Sequence, residues 1–220
     1  MLVSHRLRFI YTKTAKTGGT SVESYFERYC MAEGAWTESH AREAHESREG
    51  IIGRRGAGDG TPVRWWNHMP AADIRREIGE ATWNAYFKFC VIRNPFEKAV
   101  SAFYFRRKQD PTKHDATLPE SAQFERWLEA EGPLTDEAQY LIQGKFALDA
   151  TIRHERMADD MAAICTRLGI AWEPGRMPTF KAGIRPKDAT AAQLFTPKSR
   201  AIIERVCARE LALFGYAFPG

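Results

Sequence analysis

FIYTKTAKTGGTSVESYF, residues 9–26, holds the strand-to-helix passage on which the fold assignment rests. The apolar run Leu7 to Tyr11 predicts a short buried strand. Val22, Tyr25, Phe26 and Tyr29 recur at helical spacing and predict a helix from Thr20 to about Met31. Between the two lie Lys16, two glycines and two hydroxyls. The N–H groups that open a helix lack intrahelical partners, and the dipole there favours an anion. Gly18 and Gly19 let the backbone wrap a phosphate without a Cβ in the way, Thr20 and Ser21 offer hydroxyls, and Lys16 offers a full charge. A helix cap beside a solvated lysine uses the same residue types, but the order strand, lysine, glycines, helix favours an anion site. The loop is not GxxxxGK[ST], because Lys16 precedes both glycines.

A second passage of the same kind is YFKFCVIRNPFEKAVSAFYF, residues 86–105. Tyr86 to Ile92 reads as a buried strand of a parallel sheet, Arg93-Asn94-Pro95 as a turn, and Pro95 as the opening of a helix bearing Ala99, Val100, Ala102, Phe103 and Phe105. Outward from these passages, helices are predicted at Pro70 to Gly79, Ala122 to Ala130, Thr135 to Gln143, Arg156 to Leu168 and Pro197 to Leu213, with a strand at Ala150 to Arg153. Residues 32–64 and 108–121 read as variable surface loops, and 173–187 as a structured basic loop. Repeated strand–loop–helix units imply an α/β fold, a central parallel sheet flanked by helices in three layers, as one domain over residues 1–220.

Composition narrows the functional classes. The chain has 220 residues, 44% of them hydrophobic, which is ample for a core and excludes disorder. Its 32 basic and 28 acidic residues leave a net charge of +4, too small for a polybasic nucleic-acid binder and suited to a localised anion site. Cys30, Cys90, Cys165 and Cys207 form no CxxC pair and lack zinc-ligand spacing, so they read as reduced thiols. With no signal-peptide pattern and no membrane-length apolar run, a cytoplasmic protein is expected.

Lys16-Thr17-Gly18-Gly19-Thr20-Ser21 resembles the 5′-phosphosulfate loop of sulfotransferases that use 3′-phosphoadenosine 5′-phosphosulfate (PAPS), closest to the carbohydrate-type branch with its P-loop-like architecture. Relatives usually carry proline before the lysine, where Ala15 stands here. Residues 86–105 resemble the same family's 3′-phosphate site, a strand followed by R-[DN]-P-x-x-[RK]-x-x-S, with Arg93, Asn94, Pro95, Lys98 and Ser101 in the named places. Arg93 would bring a planar fork and Ser101 a hydroxyl to one phosphate. His154-Glu155-Arg156-Met157 is similar to the family's [YF]-E-x-[LM] element, and Lys181, Arg185 and Lys187 are candidate nucleotide contacts in a late basic loop.

The resemblance implies transfer of a sulfuryl group from PAPS to an acceptor hydroxyl or amine, of a carbohydrate or glycolipid, leaving adenosine 3′,5′-bisphosphate and using no metal. Lys16 would stabilise the leaving oxygen. The acceptor needs a general base, for which His68, His40, His45, Glu23 and His154 are the candidates, His68 foremost because of its place before the Pro70 helix. His40 and His45 also read as a solvated helix face, and Trp65 and Trp66 as core residues or a sugar-stacking surface. Two other classes stay open: a nucleotide kinase with an unusual phosphate loop, though no Walker B pattern is evident, and a non-catalytic nucleotide- or anion-binding protein.

Overall fold

The computed structural model describes residues 1–56, 60–113, 115, 117–180, 183–186 and 189–219. In chain order its elements begin with β1 (Leu2–Ser4), β2 (Phe9–Thr12), α1 (Gly19–Glu27), β3 (His45–Glu46), β4 (Gly50–Ile52), α2 (Ala71–Ile78), α3 (Glu80–Ala85) and β5 (Phe87–Ile92). They continue with α4 (Pro95–Gln109), α5 (Glu120–Glu131), α6 (Glu137–Tyr140), β6 (Leu141–Ile142), β7 (Lys145–Phe146), β8 (Ala150–Arg153) and α7 (Met157–Arg167), and end with α8 (Ala191–Leu194), α9 (Pro197–Val206) and α10 (Ala208–Phe214). The chain divides into two compact units, one made of Met1–Ile92 with Asp136–Phe180 and the other of Arg93–Thr135 with Lys181–Gly220.

The first unit is built on a six-stranded sheet of order β3-β4-β1-β2-β5-β8. β2, β5 and β8 run parallel, giving the expected α/β arrangement, while β1 pairs antiparallel with both β2 and β4. The connection between β1 and β2, residues 5–8, is too short for a crossover, so these strands must form a hairpin. That hairpin places Leu7 and Arg8 in the turn and shifts the expected first strand to Phe9–Thr12. Residues 32–64 do not form a detached loop. Gly50–Ile52 is a buried strand of the sheet, and His45–Glu46 pairs with it as an edge strand, so His40 and His45 lie on no helix face.

Strand alternation decides the core. Phe9 and Tyr11 of β2, Phe89 and Val91 of β5 and Ile152 of β8 share one face. They pack against Val22, Tyr25 and Phe26 of α1 and Met161, Ile164 and Cys165 of α7. Phe26 and Phe9 place their rings 5.2 and 5.7 Å from Phe89. Burial of each such side chain stabilises by about 1.5–3 kcal/mol. The one charge in β5, Lys88, points to the opposite face, where it donates to the carbonyls of Tyr86 (2.7 Å) and Trp83 of α3 (3.3 Å) and pairs with Asp149 at 2.9 Å. The expected helix over 135–143 is a single turn, α6. Gln143 and Gly144, with φ of 51° and 74°, then reverse the chain between β6 and β7.

The second unit is helical. Phe96, Val100 and Phe103 of α4 pack with Phe124 and Leu128 of α5, Leu194 of α8 and Ile203 of α9. Asn94 caps α4 by accepting from the Phe96 N–H at 3.0 Å, with Pro95 in the first turn. The expected closing helix is divided at Cys207 into α9 and α10. All four cysteines are buried and form no disulfide, and among the described residues no helix is long and apolar enough to cross a membrane.

Candidate active site

β2 and β5 are parallel neighbours, so their C-terminal ends lie on the same side of the sheet, where β2 runs into residues 13–18. The loop after β2 is shaped by backbone conformations that side chains resist. Lys16 has φ of 58° and Gly18, the N-cap of α1, has φ of 80°. No side chain caps that helix. At Gly19 an added Cβ would stand 2.8 Å from Tyr11 Oη, which itself donates to the Gly19 carbonyl at 3.1 Å. A side chain there would have to displace the buried Tyr11 hydroxyl, so glycine is favoured. Lys16 and His68 are two of the four non-glycine residues with positive φ among those described, and such strain costs about 1–3 kcal/mol each and concentrates at functional sites.

The loop is tied down along its length. Thr14 Oγ1 and Thr17 Oγ1 share a 2.8 Å hydrogen bond, and Thr14 also donates to the Val91 carbonyl. The Ala15 N–H donates to Asp136 Oδ1 at 2.8 Å, and His154 Nδ1 donates to the Thr17 carbonyl at 3.0 Å. Ser21 Oγ accepts from the Phe180 N–H at 3.3 Å, which leaves its own proton to give. Thr17 is buried, so toward an anion it offers its main chain, whereas Gly18 is exposed and Lys16 and Thr20 are half-buried.

His68 stands against the start of this loop. Its Nδ1 lies 3.0 Å from the Lys13 carbonyl, and a carbonyl only accepts, so Nδ1 carries the proton and Nε2 the lone pair. Gln139 Nε2 donates to the His68 carbonyl at 2.8 Å. Burial, then the Lys13 and N-terminal charges, push the imidazole's pKa below its ordinary value. His68 is therefore neutral at pH 7 with a basic nitrogen. Of the two tryptophans beside it, Trp65 is core, its Nε1 donating to Glu46 at 2.6 Å, while Trp66 is exposed.

Glu23 is no base. It is fully buried and accepts from Lys13 Nζ, Arg55 Nη1 and the Met1 ammonium, each at 2.7 Å. Although burial alone would raise its pKa, those three cations hold the carboxyl well below the usual range. Glu27 joins the cluster through Arg55 and through Arg42 Nε at 2.9 Å. His40 packs its ring on Phe180 at 5.3 Å and gives its carbonyl to Arg55, roles that are structural.

In the second unit, Arg93 Nη2 lies 3.6 Å from Glu97 Oε2, and Arg185 Nη1 bonds the same oxygen while its Nε donates to the Ala189 carbonyl at 2.7 Å. Two expected nucleotide contacts thus meet on one carboxylate. Ser101, one turn beyond Glu97 on α4, is half-buried on the same helix face. Lys98 is buried and bonded to Glu210 at 2.9 and 3.0 Å, so this motif position serves packing. Lys181 and Lys187 lie outside the described residues.

Asp136, Gln139 and Lys13 escaped the reading of the sequence, because nothing local marks a residue whose partner is far away in the chain. Neither the curated proteins nor the solved structures gave a match. A model described as the sulfotransferase family matches residues 1–217, both units together, and so the chain belongs to the sulfotransferase family, which in general uses PAPS.

Proposed function

We propose that the protein transfers the sulfuryl group of PAPS to a hydroxyl or amine of a carbohydrate or glycolipid acceptor. The observation that carries this reading is the loop of residues 13–19, strained at Lys16, exposed at Gly18 and tight against the Tyr11 hydroxyl at Gly19, leading into a helix with no side-chain cap. Such a cradle fits the 5′-phosphosulfate end of the nucleotide. Lys16, Gly18, Gly19, Thr20, Ser21 and the Thr17 main chain would hold that end, and Arg93, Ser101 and Arg185 the 3′-phosphate. PAPS supplies an activated sulfuryl group whose leaving side is already a phosphate.

The chain's own residues do the rest. Lys16 places a positive charge where the leaving oxygen gains negative charge, a contribution worth about 10²–10³ in rate. His68 Nε2 takes the acceptor proton; its neutrality and fixed tautomer support that role. Exposed Trp66, two residues away, is suited to stack on a sugar ring. Incubation with ³⁵S-labelled PAPS and glycan, glycolipid and phenol acceptors tests the reading. Label should pass to a saccharide acceptor. Phosphoryl transfer from ATP, or tight bisphosphate binding with no transfer to any acceptor, would overturn it.

A further inference from the structure

We propose that Lys13 is a positioning residue for His68: its carbonyl fixes the ring and tautomer, and its side chain, clamped by Glu23, fixes the carbonyl. This rests on the reading of His68 as the general base. Lys13 directly follows β2, and its side chain is only 3% exposed. A buried lysine is expensive, and an apolar residue of similar volume commonly serves stability as well or better. Here the charge is retained, and an unusually complete set of partners retains it. Glu23 takes Lys13 Nζ at 2.7 Å and is in turn held by Arg55 and the Met1 ammonium at the same distance. The residue so immobilised presents its carbonyl to His68 Nδ1 at 3.0 Å.

His68 needs such a clamp. Its backbone sits at φ 51°, a conformation that relaxes unless its surroundings hold it, and Gln139 holds the other side through the His68 carbonyl. The charges facing the imidazole agree with the geometry. The Lys13 and N-terminal ammonium groups disfavour the imidazolium, as does burial, while Asp136 and the Lys13 carbonyl favour it. The ring is thus kept neutral with Nε2 unprotonated, the state a base requires.

The test is an NMR titration of the His68 imidazole, identified by its loss in His68→Ala, run beside the pH dependence of kcat. In the wild type, Nε2 should carry no proton at neutral pH and the midpoint should lie below the ordinary value of about 6.5. In Lys13→Met the midpoint should rise by roughly one unit, with the acid limb of kcat moving alongside it, whereas Lys13→Arg should keep both near wild type. A wild-type His68 protonated on Nε2 would overturn the proposal even if Lys13→Met failed to fold, and so would an unchanged midpoint in a folded Lys13→Met. A midpoint that moves while the kcat limb stays would uphold the role of Lys13 and instead remove His68 from the chemistry.

Discussion

Asp136 accepts a hydrogen bond from the main-chain N–H of Ala15 at 2.8 Å, across 121 residues of chain. In the carbohydrate-type phosphosulfate loops that residues 16–21 resemble, proline usually stands where Ala15 does, and proline has no N–H to give. The stiffness that a ring would build into the loop is supplied here by a buried carboxylate. Asp136→Ala should therefore weaken adenosine 3′,5′-bisphosphate binding about tenfold, with Asp136→Asn closer to wild type because its amide oxygen still accepts. Ala15→Pro should be harmful alone and partly restorative in the Asp136→Ala background. Calorimetry on the four proteins measures the coupling, and strictly additive losses would separate the two residues.

Acid should destabilise the fold in two stages. The folded-state pKa of His68 lies below its unfolded value, so the unfolded chain binds that proton first and stability begins to fall below about pH 6.5. Glu23 also has a depressed folded-state pKa. Its contribution is complete above its ordinary value of 4.5 and is lost as pH falls below it. Urea unfolding between pH 8 and 3.5 should show both declines. Glu23→Gln should abolish the second and cost about 3–5 kcal/mol at pH 7, since it strips buried Lys13 and Arg55 of a counter-charge. An unchanged second decline in that variant would place the acid-sensitive group elsewhere.

Arg93 and Arg185 converge on Glu97, which makes them a pair ready to exchange one anion for another. Arg93→Ala or Arg185→Ala should lower affinity for adenosine 3′,5′-bisphosphate about 10–100-fold and leave adenosine 5′-monophosphate, which lacks the 3′-phosphate, unaffected. Arg185→Lys should recover little, because an ammonium cannot reproduce the planar fork. Equal losses for both nucleotides would assign the pair to folding instead.

The parallel half of the sheet was legible because each of its strands runs into a turn and helix whose spacing and cap residues are local. Phe87–Ile92 and Ala150–Arg153 needed no distant partner to be seen. The antiparallel half was hidden for the opposite reason. Leu2–Ser4 and Gly50–Ile52 are three residues each, too short for a period, and become strands only by pairing with one another. The same logic divides the candidate site. The order of Lys16, Gly18 and Gly19 is local and led to the expectation of an anion loop, whereas Arg55 sits in a polar stretch that reads as solvated and ends up 3% exposed between two glutamates. Charge patterning along the chain cannot separate such a buried cation from a surface one, because burial is set by which carboxylates the fold brings to it.

Lys16 and His68 should separate cleanly in kinetics. If Lys16 stabilises the leaving oxygen as we propose, Lys16→Ala should lower kcat about 10²–10³-fold, with some loss of bisphosphate affinity. His68→Ala should lower kcat about 10²–10⁴-fold and leave that affinity unchanged, because the ring contacts the Lys13 carbonyl, outside residues 16–21, which we propose hold the phosphosulfate. The wild-type rate should fall as pH drops through the depressed pKa of His68, and His68→Ala should lose that limb. The distinction depends on folding, since His68 is half-buried and bonded on both sides, to the Lys13 carbonyl and by Gln139. His68→Gln offers a control: its amide can still donate to the Lys13 carbonyl but cannot take a proton at neutral pH. A His68→Gln protein as stable as wild type and equally slow as His68→Ala would fix the loss on proton transfer. One that kept near-normal kcat would make His68 a structural residue.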